Sequence, residues 1–150
     1  MAEMVLYELR GPAAWITLNR PDRRNALSRE LIESLDHALR QAAQESKVRC
    51  LVLTGAGSAF CAGMDLEELR QSLTAEAALI WQDAQRLATL YDFLYRLPKP
   101  TIAAVNGPAV AGGAGLVSVC DLAVAVASAR FGYPEVRRGL VAAMVMPHLL

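Results

Sequence analysis

The chain has no excess of charge of either sign: fifteen Lys and Arg stand against fifteen Asp and Glu in 150 residues. A balanced field favours neither nucleic acid nor a membrane surface as partner, and polyanion binding would need a local patch. Cysteine is sparse. Cys50, Cys61 and Cys120 are an odd, widely spaced set, which suits a reduced cytosolic protein better than a disulfide framework. Neither His37 nor His148 lies near a cysteine or a second histidine, so metal-ligand spacing is missing and no metal is expected. The opening "MAEMVLYELRG" lacks the basic, apolar, small-residue order of a signal peptide, and no apolar run is long and clean enough to span a bilayer. A soluble cytoplasmic protein is the expectation, although a matrix-targeted protein with its presequence removed would read the same. Repeats, low-complexity tracts and linkers are also missing. What remains is 54% hydrophobic and 20% charged, enough for one globular domain over residues 1–150.

Strand and helix signals alternate along the chain. "AWITLNR" (14–20) is a short β-rich run, and the polar "PDRRNALS" leads to Ser28, a helix N-cap. Leu31, Leu35, Leu39 and Ala42 then repeat at helical spacing. "VRCLVLTG" (48–55) reads as a buried strand stopped by glycine, "AGSAFCAGMD" as a small-residue loop, and "TAEAALIWQDAQRLATLYDFLYRL" as a long amphipathic helix ended by "PKP". "TIAAVNG" and "LAVAVA" (122–127) are two further buried strands. Strands separated by helices imply crossovers and a largely parallel sheet, so the class is α/β. The last stretch, "GLVAAMVMPHLL", reads as an apolar helix without a C-cap.

Two loops share one plan. In "LVLTGAGSAFCAGMDLEEL" and "IAAVNGPAVAGGAGL" a buried strand feeds a glycine-containing turn, and a helix starts just beyond it. The first turn of a helix leaves backbone N–H groups unpaired, and two such donors aimed at one point would make an oxyanion hole. The plainer alternative is a pair of ordinary glycine turns, because neither loop has dinucleotide or phosphate-loop spacing.

Taken with "LNRPDRRNALS" and "DLAVAVASARFGYPEV", these loops resemble, in order, the signature blocks of the crotonase superfamily, the enoyl-CoA hydratases and isomerases. The resemblance runs from about Trp15 to about Leu140. It implies a crotonase-like spiral of ββα units with largely parallel sheets, holding an acyl-CoA thioester. No separate cofactor is implied, since CoA is part of the substrate. Carried onto this chain, the oxyanion donors are the N–H groups of Met64 and Gly112, with Gly113 beside them. "CAGMDL" would wrap the adenine through the backbone of Ala62, Asp65 and Leu66, while Arg23, Arg24 and Ala26 lie where the family contacts the phosphates and pantetheine. For the arginines a solvated turn is an equal reading, and Asp65 is independently a helix N-cap. The resemblance also implies a homotrimer or hexamer, and a C-terminal helical region that residues 1–150 do not include.

Relatives using two acids carry glutamates at two motif positions. Here the first is Gly115 and the second Glu135, in "FGYPEVRRG". Glu135 is the expected acid/base; a salt bridge to Arg137 or Arg138 is the competing reading. One carboxylate suffices to shift a 3-enoyl to a 2-enoyl thioester, and it could add water by passing the water's own proton to the α-carbon. Gly115, "GLVSVCD" and "EVRRGLVAAMV" together are similar to a branch that hydrates branched 2-enoyl-CoA, methylglutaconyl-CoA included. Hydration therefore leads, isomerisation follows, and a catalytically silent acyl-CoA-binding protein is the alternative of another class. Thioester hydrolysis ranks below these, since no further acid follows Glu135. Trp81, Tyr91 and His148 are secondary candidates for substrate contact or proton transfer.

Overall fold

The structure is a computed structural model that describes residues 3–72, 74–139, 141 and 143–148, except for the side chains of Arg138 and His148. Two strands open the chain, β1 (Val5–Arg10) and β2 (Ala13–Leu18), paired antiparallel across the turn at Gly11. β2 alternates strictly, with Ala14, Ile16 and Leu18 buried, and this period of two directs one face onto a helix. That helix is α1 (Arg29–Gln44). The Ser28 side chain accepts from Leu31 N, as an N-cap does, and Leu31, Leu35, Leu39 and Ala42 form its buried stripe. Each fully buried leucine in it contributes about 1.5–3 kcal/mol over an exposed one.

β3 (Cys50–Gly55) returns parallel to β2. Two helices follow, α2 (Leu66–Ser72) and α3 (Ala77–Tyr95), then β4 (Thr101–Val105), parallel to β3. A two-residue strand, β5 (Ala109–Val110), leads into α4 (Gly112–Ser118), β6 (Leu122–Ala125) and a second two-residue strand, β7 (Phe131–Gly132). The main sheet has the order β1-β2-β3-β4-β6 and is parallel beyond its first pair. A second ladder runs alongside: Leu27 bridges Met64, Cys61 bridges Ala109, and β5 pairs with β7. Successive coils thus add one strand to each ladder and one helical segment, which is the expected ββα spiral.

Four expectations need correction. "LAVAVA" does form a strand, but β6 is exposed along its whole length, Leu122 and Val124 included, because it is the outermost strand of the sheet. β1, β5 and β7 were not legible as strands. The long helix begins at Ala77, with Thr74 outside it in a turn and α2 a separate element. Among its described residues the apolar C-terminal stretch is no α-helix: it is turn, with a 3-10 segment at Met146–His148. Pro147 supplies no N–H for a continuing helix, and the stretch splits between buried Val145 and the exposed Val141 and Met146.

Candidate active site

The first glycine loop is held in place by one side chain. Asn25 is fully buried, and its amide donates to Ala56 O, Ala59 O and Phe60 O, while its Oδ1 accepts from Arg20 N. Beyond Cys61 the chain turns through Gly63 at φ +86°, a left-handed conformation suited to glycine, and delivers Met64 and Asp65 to the start of α2. Asp65 caps α2 by accepting from Glu67 N and Glu68 N, as its residue type predicts. Its other oxygen accepts from Arg20, which also donates to Ala26 O. Burial alone would raise the Asp65 carboxyl, but the Arg20 guanidinium and the two N–H groups outweigh it and hold it below the usual value.

That direction fixes a pH dependence. A carboxylate with a lowered folded-state pKa contributes stability above its unfolded pKa, about 3.9, and loses it as pH falls through the folded value. Urea titrations should show stability declining below about pH 4. Asp65→Asn keeps a capping side chain but loses the ion pair; it should cost about 1–3 kcal/mol at neutral pH and flatten that acid limb.

The second glycine loop closes on the first. Val110 N donates to Cys61 O and Ala111 N to Gly132 O, so β5 sits between the first loop and β7. Ala111 then adopts φ 51°, ψ −124°, and α4 begins. A Cβ on Gly63 would lie 3.2 Å from Gly112 N, and one on Gly112 would lie 3.8 Å from Gly63 Cα. Both turns are therefore bare where they touch. Among the described residues, neither Met64 N nor Gly112 N donates to a protein acceptor, and the two residues line the same cavity.

This cavity has a volume of about 810 Å³, in the range of small-molecule sites. It gathers Arg23, Arg24, Ala26, Ala62, Met64, Asp65, Leu66, Gly112 and Glu135. Gly113 is set behind it, packed so tightly that a Cβ would lie 2.2 Å from Cys61 O. Arg23 and Arg24 are exposed at the cavity's edge. Two backbone groups of the first loop are already used, since Ala62 N donates to Arg24 O and Asp65 N to Leu27 O. Asp65 O also accepts from Leu69 N, so the Ala62 carbonyl, rather than those N–H groups, is what this loop can offer a ligand.

Glu135 stands in a 3-10 turn (Pro134–Arg138) after β7 and reaches the cavity from the side of the second loop. Its Oε2 is buried and has no hydrogen-bond partner among the described residues, and no ion pair to Arg137 forms among them. A buried acceptor without a partner is costly to keep and points to a role outside packing. The salt-bridge reading for Arg137 thus lacks support, and the Arg138 side chain lies outside the described residues. Leu87, Met144 and Val145 add apolar wall.

Of the secondary candidates, Tyr91 lines the cavity and Trp81 does not; Trp81 is 65% exposed on α3. The His148 side chain lies outside the described residues. Sequence reasoning missed Arg20, Asn25 and Ala111. "RRNAL" carried a signal for Asn25, a turn-prone residue here at φ 55°, but nothing marks Ala111. Cys61, within the first loop, is pushed up to about 12 by burial and stays a thiol at neutral pH.

The family model for enoyl-CoA hydratase/isomerase matches residues 10–150. An enoyl-CoA hydratase of Mycobacterium tuberculosis is 41% identical over 138 residues, 90% of this chain and 51% of its own length. The 1,2-epoxyphenylacetyl-CoA isomerase of Escherichia coli is 37% identical over 142 residues, 94% of this chain and 54% of its own. The crystal structure of an enoyl-CoA hydratase from Shewanella pealeana superposes with a TM-score of 0.94 at 32% identity, covering 97% of this chain and 55% of that one. The chain spans about half the length of these relatives. With the match across all but its first residues, and with the spiral and its paired glycine turns in place, the chain belongs to the enoyl-CoA hydratase/isomerase family.

Proposed function

We propose that this site adds water across the double bond of a 2-enoyl-CoA thioester, with branched acyl groups as the favoured class. The observation that carries the reading is that Met64 N–H, Gly112 N–H and Glu135 Oε2, none of them with a partner among the described residues, line one cavity. The thioester oxygen takes the two N–H groups. Glu135 removes a proton from water as the water oxygen bonds to the β-carbon, and the π electrons move toward the thioester, where the donors stabilise the developing enolate oxygen. The same glutamate then returns the proton to the α-carbon, so the net change is addition of one water. Arg23 and Arg24 suit the CoA phosphates, and Leu87, Met144 and Val145 suit an acyl chain.

Isomerisation of a 3-enoyl to a 2-enoyl thioester is the second reading, favoured by Gly115: with one acid, proton transfer between carbons needs nothing more. Incubating 2- and 3-enoyl-CoA esters with the protein in heavy water separates the two by mass. Gain of one solvent molecule supports hydration, and deuterium exchange without gain supports isomerisation. Esters recovered unchanged would remove both.

Gly115 offers a further prediction. A Cβ there would lie 2.8 Å from Val145 Cγ2 and 3.0 Å from the Tyr91 hydroxyl, so the space an acid would need is taken. Gly115→Glu should cost about 1–3 kcal/mol in thermal melts and lower, rather than raise, the hydration rate.

A further inference from the structure

The turn that presents Gly112 N–H is held in a conformation its sequence does not favour. Ala111, at φ 51°, ψ −124°, occupies a region that is costly for a non-glycine residue and persists only when its surroundings enforce it. Three backbone bonds contribute: Val110 N to Cys61 O, Ala111 N to Gly132 O, and Gly115 N to Ala111 O. A side chain supplies the fourth. The fully buried Tyr91, on α3, donates its hydroxyl to Gly112 O at 2.8 Å. That oxygen sits 3.0 Å from the Cβ position of both Gly112 and Gly115, so only bare backbone at these two points lets the hydroxyl approach. Burial first, then the neighbouring Cys61, Tyr133 and Glu135, raises the Tyr91 pKa, and the hydroxyl keeps the proton it donates.

We propose that Tyr91 is a positioning residue for thioester chemistry: by bonding Gly112 O it clamps the Ala111–Gly112 turn and keeps Gly112 N–H directed into the cavity. The inference rests on the reading of function given above. A ring that merely filled the core would need no hydroxyl at this point, and phenylalanine would serve as well. Removing the hydroxyl should let Ala111 relax toward a common conformation and turn the N–H away from the thioester oxygen. The loss would fall on the transition state more than on binding of the long CoA portion.

The test is a cycle of Tyr91→Phe and Ala111→Gly, read by kcat and KM for a 2-enoyl-CoA and by the carbonyl-stretch frequency of the bound thioester. Tyr91→Phe should lower kcat roughly tenfold, less than outright loss of an oxyanion donor, with KM within about twofold and the carbonyl stretch moved toward its unbound value. Glycine at 111 holds the same conformation without cost, so in the Ala111→Gly background the Tyr91→Phe penalty should shrink. Two results would overturn the proposal while leaving the function intact: a Tyr91→Phe protein with unchanged kcat and carbonyl stretch, or a penalty of equal size in both backgrounds. If the unaltered protein neither binds nor turns over enoyl thioesters, the functional reading falls and this inference with it.

Discussion

Glu135→Gln should lower the turnover of an enoyl-CoA thioester by about 10³-fold, within the range expected when a positioned acid/base is removed. The substitution is close to isosteric, and it takes away a cavity-wall carboxylate whose buried oxygen lacks a partner among the described residues. Stability should change by less than about 1 kcal/mol, because no described hydrogen bond or ion pair of that oxygen is broken. Affinity for the thioester should be retained, since Arg23, Arg24 and the donors of Met64 and Gly112 are untouched. Full turnover by the variant would remove Glu135 from the mechanism; loss of turnover together with a large fall in stability would show a structural role instead.

Gly113→Ala should have the largest effect on folding. In an ordinary helix, replacing glycine by alanine gains about 1 kcal/mol. Here the added Cβ would lie 2.2 Å from Cys61 O and 2.8 Å from the Cys61 carbonyl carbon, and a backbone neighbour cannot swing aside like a flexible side-chain end. Overpacking should outweigh the propensity gain, leaving a net loss of about 3 kcal/mol and a sharp drop in activity, because α4 can accommodate the methyl only by withdrawing Gly112 from Met64. Gly132→Ala is the control: nothing lies within 4 Å of its Cβ position, and its melting temperature should stay near that of the unaltered protein. Equal effects at the two positions would mean that the close approach of α4 to the Cys61 backbone is not what fixes the turn.

The parts of this architecture that could be read in advance are those where one local rule dominates. Ser28 caps α1 and the leucine stripe after it is buried, because capping and a period near 3.6 act within a few residues. β3 and β4 were legible as buried apolar runs ending in glycine loops. β1 was not, because "VLYELR" is an edge strand, mostly exposed, whose pairing with β2 is set by the turn at Gly11. β5 and β7 are two residues each and exist through contacts with one another and with Cys61, which no local pattern announces.

The site divides the same way. Met64 and Gly112 were singled out through the resemblance to the crotonase superfamily, and both line the cavity, whereas Gly113, expected beside them, lies behind it against Cys61. Ala111 was invisible, since alanine gives no hint of a positive φ that packing alone enforces. Tyr91 sits at helical spacing with Leu87, Leu90 and Leu94 and so reads as core. It is core, and its hydroxyl nevertheless reaches the second glycine turn. Trp81, on the same helix, was equally conspicuous in sequence and turns out exposed, away from the cavity.

The most direct test of the central claim, that Glu135 and the two backbone donors add water to an enoyl thioester, is the mass of a branched 2-enoyl-CoA after incubation with the protein in water enriched in ¹⁸O. The expected result is a 3-hydroxyacyl-CoA carrying the heavy oxygen on its β-carbon, formed by the unaltered protein and scarcely by Glu135→Gln. Label found in a released carboxylic acid together with free CoA, or an ester unchanged after prolonged incubation, would contradict it.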